Sequence, residues 1–112
     1  MEERLPTKLW LDAHLRAHAA LGQSYYIVHR GDNASGTIVL KLILGRNEGC
    51  RVYSQARDSE GELGWLAAFE GRTVPETEAD AYIQRLTARD PDLWGVEVES
   101  RTGTLPLPGK IL

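Results

Sequence analysis

Between Thr37 and Leu44 the chain is apolar on both faces of an extended strand. Ile38, Leu40, Leu42 and Leu44 alternate onto one face, while Val39 and Ile43 flank Lys41 on the other. A strand that is apolar on both sides belongs in the middle of a sheet. Neighbouring strands must therefore flank this segment, and other elements must cover it.

The neighbours are legible. Ser24 to Arg30 is rich in aromatic and β-branched residues and reads as a strand, as do Cys50 to Ala56 and Leu63 to Phe69. Gly31 to Gly36, Arg46 to Gly49 and Asp58 to Gly61 have the composition of turns. A helix is predicted from Lys8 to about Leu21, capped by Thr7, with Leu9, Ala13, Ala17 and Ala20 on its apolar side. Thr73 to Glu76 has capping-box spacing, and a second helix follows from about Pro75 to Ala88. Leu93 to Ser100 is the last strand, with Trp94, Val96 and Val98 inward and Gly95, Glu97 and Glu99 on a solvated face. The expected fold is α+β, in the order α-β-β-β-β-α-β. An antiparallel meander is covered by the two helices in a two-layer domain over residues 1–103. Residues 104–112 form a Pro/Gly-containing tail that resists regular structure.

Charge and cysteine use exclude several classes. The 112 residues carry 13 Lys plus Arg against 16 Asp plus Glu, a net charge of −3. Residues 1–56 hold seven basic and five acidic side chains, and residues 57–112 hold six and eleven. A chain without a Lys/Arg run lacks the electrostatic footprint of a general nucleic-acid binder. One cysteine, Cys50, forms no internal disulfide, and the start Met1-Glu2-Glu3-Arg4 is unlike a secretory leader, so a cytoplasmic location is expected. No stretch approaches the ~20 apolar residues of a membrane helix, so no membrane partner is expected.

Several segments together resemble a known family. Leu5, Thr7, Leu9 and Trp10 fit a Leu-x-Thr-x-Leu-Trp helix start, and Arg30-Gly31-Asp32 with Gly36 fits a loop leading into an apolar strand. Glu78 to Ile83, then Asp90-Pro91-Asp92-Leu93-Trp94 and Val96 to Glu99, fit an acidic helix and a closing strand. Over about residues 4 to 101 the chain is similar to a bacterial domain-of-unknown-function family, number fourteen-ninety-one, found mainly in alphaproteobacteria. The resemblance implies membership and brings no activity, cofactor or partner with it.

Arg30 and Asp32 are the ligand-binding candidates: a Gly-rich turn exposes backbone N–H groups, and Arg30 suits a carboxylate or phosphate. Asp32 and Asn33 are equally ordinary turn residues, and the Arg-Gly-Asp tripeptide reads as coincidence rather than as an adhesion motif. His14 and His18 have the spacing of two metal ligands on a helix, but no third ligand is near them in sequence. Glu97 and Glu99 share a strand face and with Asp92 could hold a divalent cation. A nuclease reading lacks its usual Lys, because Lys41 sits between Leu40 and Leu42. Cys50 reads as a buried, inert thiol. No catalytic set and no resident metal or cofactor is assigned. The reading that remains is a binding domain acting through a protein partner or a second copy, by an edge strand. The alternatives are a small enzyme or ligand binder at the Arg30–Gly36 loop, then a metal-dependent nuclease.

Overall fold

The computed structural model describes residues 5–112; the acidic start, Met1 to Arg4, lies outside them. The elements are α1 (Thr7–Ala20), β1 (Tyr25–His29), β2 (Ile38–Ile43), β3 (Cys50–Arg57), β4 (Leu63–Ala67), a 3₁₀ turn (Phe69–Gly71), α2 (Glu76–Arg89), β5 (Trp94–Glu99) and β6 (Lys110–Ile111). The fold is α+β, and β2 is central, as its two apolar faces require.

The sheet is mixed, not the expected meander. Its order is β1-β5-β2-β3-β4-β6. β5 lies between β1 and β2, antiparallel to the first and parallel to the second. The register gives the reason. Ile38, Leu40 and Leu42 stand beside Trp94, Val96 and Val98, which buries all six side chains on one face. A β1–β2 hairpin would leave β2 without that neighbour. Residues 30–37 instead step across the width of one strand. The face of the last strand expected to be solvated is covered at one end: Gly95 is buried under Ile83 of α2, while Glu97 and Glu99 are half-buried.

The two helices lie on opposite faces, so the layers number three rather than two. Leu11 and Leu15 of α1 join Ile38, Leu40, Leu42, Trp65 and Val96. Ala79 and Ile83 of α2 join Val39, Cys50 and Val52 on the other side. The buried stripe of α1 is Leu11, Leu15 and His18, not the Leu9–alanine side, and Leu9 is exposed. Two leucines remove far more apolar area from water than a run of alanines. Neither threonine caps its helix. Pro6 and Pro75 hold the N-cap positions, and the Thr7 hydroxyl donates to Gly36 O at 2.9 Å. The first N–H groups of α1 are satisfied from outside, Thr7 by Ala34 O and Lys8 by Asn33 O.

Residues 104–112 fold back rather than hang free. Leu107 is buried in the α1-side core, and Trp65 Nε1 donates to Pro108 O at 3.0 Å. β6 then adds to β4 in parallel, and Lys110 pairs with Asp58 at 2.7 Å. A buried indole N–H needs an acceptor, and this segment supplies it. Leu107→Ala is expected to cost about 2–5 kcal/mol in urea unfolding, the usual range for a buried leucine. An unattached tail would leave the midpoint unmoved.

Candidate functional site

A lone lysine in an apolar central strand must find acceptors. Lys41 is 2% exposed and points to the α2 side. Its ammonium meets Asp80 at 2.6 Å, Glu97 at 2.7 Å and Glu76 at 2.8 Å. An ammonium has three donors, and three carboxylates take them. Glu76 and Asp80 are four apart on the first turns of α2, so both face the sheet together. Burial alone would pull the Lys41 pKa down, but the bonds from Asp80, Glu76 and Glu97 outweigh it and raise it above the ordinary 10.5. Lys41 is therefore a fixed cation, not a nucleophilic amine.

This cluster floors a groove of about 500 Å³ between α2 and the β1 side of the sheet. Tyr26 and Val28 of β1, Ile83 and Gln84 of α2, and the cluster itself line it. Tyr26, Glu97 and Lys41 form one row across β1, β5 and β2. Three carboxylates against one ammonium leave two negative charges. Asp80 and Glu76 keep half their side-chain surface open (53% and 56%).

The groove runs out onto the edge of the sheet. β1 pairs only with β5, so its other side has no strand partner among the described residues. Tyr26 is 65% exposed and Val28 47%. Glu99 N–H donates to Ser24 O, and antiparallel pairs alternate, so the main-chain groups of Tyr25 and Ile27 point away from β5. A bulge between Ile27 and His29 ends the regular edge. The opposite edge is guarded: β6 is two residues long and carries Lys110.

The sequence candidates fall elsewhere. Asp32 accepts from Ser35 N–H at 2.8 Å and from Ala34 N–H and the Ser35 hydroxyl at 3.1 Å. Those bonds, the Ser35 backbone first, hold its carboxyl below the usual carboxylate range. Arg30 lies over the Trp94 ring, 5.7 Å from its centroid. Trp94 Nε1 donates to Asp32 O, and Asp32 N–H donates to Asp92 O. A Cβ on Gly31 or Gly36 would lie 2.2 Å from Asp92 O, which is why glycine stands at both positions. The loop thus joins α1, β5 and the Asp90–Leu93 turn, and neither Arg30 nor Asp32 lines the groove.

His14 rests against Trp10, ring centroids 4.5 Å apart, whereas His18 is buried with Nε2 unpartnered. Glu97 is committed to Lys41. Among the described residues no three His, Cys, Asp or Glu side chains gather as metal ligands. Cys50 is buried, and burial pushes its thiol pKa up. Trp65 is fully buried, and Leu66 is the exposed residue of β4. The Lys41 cluster escaped the sequence reading. Its signal was the single charge within β2 and the Glu76/Asp80 spacing.

A family model described as protein of unknown function (DUF1491) matches residues 5–108. Two solved structures of a DUF1491 family protein from Caulobacter crescentus CB15 are similar, each at 30% identity. The crystal structure has a TM-score of 0.87 and covers 97% of this chain and 100% of that one. The NMR structure has a TM-score of 0.84 and covers 99% of each. The solution structure of protein Atu0922 from A. tumefaciens is similar at 25% identity and TM-score 0.73, covering 96% and 97%. No curated protein matches the chain.

Two outcomes follow from this geometry. Gly36→Ala is expected to cost about 1–3 kcal/mol in urea unfolding, because backbone must move to admit the methyl group. The second concerns alkali. A lysine whose folded pKa is raised contributes stability fully below its unfolded value and loses it as pH rises through the folded one. The stability gap between the native chain and Lys41→Met should therefore narrow as pH climbs past 10.5. A gap that stays constant there would show that the ammonium contributes nothing.

Proposed function

The chain belongs to the DUF1491 family, and from that premise we propose that it is a protein-binding domain which receives an extended segment of a partner along β1. One observation carries this reading: the sheet has one guarded edge and one open one. Natural sheets block exposed edges with charge, proline or cover. β1 carries neither charge nor proline, since Tyr25 to His29 contains no Lys, Arg, Asp, Glu or Pro, and its bulge interrupts the edge only beyond Ile27. Its exposed side chains are Tyr25, Tyr26 and Val28, the last two beside a groove, the surface that strand addition uses. The bulge limits the receiving stretch to about Ser24 to Ile27, so affinity must come from side-chain pockets as well as from the main chain.

A random heptapeptide library displayed on phage, selected on the full chain, tests this. Selected peptides are expected to shift the backbone amide resonances of residues 24–29. Tyr25→Pro removes an outward N–H while leaving the β5-facing bonds of β1 in place. It should weaken binding roughly tenfold, the worth of one well-made hydrogen bond. Selected peptides that shift other residues, or that bind Tyr25→Pro equally well, would refute the reading. A concentration-dependent dimer that Tyr25→Pro dissolves would instead give the edge to a second copy.

A further inference from the structure

The groove beside β1 is chemically lopsided, and that lopsidedness specifies what the edge receives. Building on the strand-addition reading, we infer that the received segment is basic, with Lys or Arg on the alternate positions that face α2. Side chains on one face of an added strand continue the rows of the sheet. The row that ends at the edge is Lys41, Glu97, Tyr26. The next residue in that row belongs to the partner.

That residue meets Tyr26 first, an exposed ring over which a cation is attracted. Beyond it lies Glu97, two strands away and so about 10 Å from the new strand. A long basic side chain and the glutamate can close such a gap together. Past Glu97 stand the half-open carboxylates of Asp80 and Glu76. Lys41 neutralises only one of the three charges. An incoming cation neutralises a second and does not displace Lys41, because each carboxylate keeps a second oxygen. An incoming acidic residue would add to two uncompensated negative charges in a half-enclosed site.

Charge complementarity also separates a foreign segment from a second copy. The strand that this chain would offer by symmetric edge pairing is β1 itself, which carries no Lys or Arg. Such a pair would match the apolar side chains and leave both acidic grooves unmatched. A basic partner matches both features at once.

The same heptapeptide selection reads this directly. Winners are expected to carry Lys or Arg at alternate positions. A synthetic winner should bind Glu76→Gln and Asp80→Asn roughly two- to fivefold more weakly, the range of single partly exposed ion pairs. Its Lys→Glu form should lose roughly tenfold or more, and binding should weaken as salt rises from low to high concentration. Each variant's amide spectrum reports whether the fold is kept. Because each variant keeps two of the three carboxylates around Lys41, neither leaves the ammonium unpaired. Winners without basic residues, or Lys and Glu forms that bind alike while residues 24–29 still shift, would overturn this inference and leave strand addition standing. Peptides that never shift residues 24–29 would overturn both.

Discussion

The interaction on which the arrangement turns is the buried ammonium of Lys41. A charge in the central strand of a sheet is costly unless its hydrogen bonds are complete. Completing them takes two carboxylates from α2 and one from β5. That demand bears on two things together. It sets where the start of α2 lies over the sheet, and it turns the acidic side of α2 toward the open edge. The apolar contacts of Ala79 and Ile83 stabilise α2 but would tolerate small shifts along the sheet. Three charge-assisted bonds to one atom tolerate far less.

The same charge accounts for what the site is not. Where three acidic groups converge, a divalent cation would be the usual occupant. Here the chain supplies its own cation, and it has no free electron pair while protonated. The ammonium is thus a structural counter-ion to the acidic groups of α2 and β5. The Arg30–Gly36 loop follows a similar logic. Its polar groups bond to the start of α1, to Trp94 and to Asp92.

Much of the fold was legible in the sequence because local pattern decides it. The strand from Ile38 to Ile43 is apolar on both faces and is central; Ala79 and Ile83 lie on the predicted face of α2. What escaped was non-local. Strand order depends on which strand completes β2, and no turn between Gly31 and Gly36 reports that β5 lies in the gap. Helix capping failed as a guide because the first N–H groups of α1 bond to carbonyls over twenty residues away. The side of α1 was misread because alanines dominate the pattern while leucines dominate the burial. The Lys41 cluster joins residues 35, 39 and 56 apart; the first two separations are those of its hydrogen bonds to Glu76 and Asp80, and the third is the step to Glu97. Only a folded sheet brings them together.

The position of β5 has a consequence for how the chain becomes ordered. β1 and β2 are the first two strands synthesised, yet their common neighbour is the fifth. Until about residue 99 has been made, β1 has no partner, and β2 can pair only with β3. The hairpins β2–β3 and β3–β4 are local and suit an early nucleus. The parallel β2–β5 pairing must wait for closure of a loop spanning α2. During that interval an aromatic, uncharged strand stays exposed on both sides, a hazard for association with other unfinished chains. Translation from the N-terminus therefore lengthens the exposure of the very segment that the finished fold leaves half open.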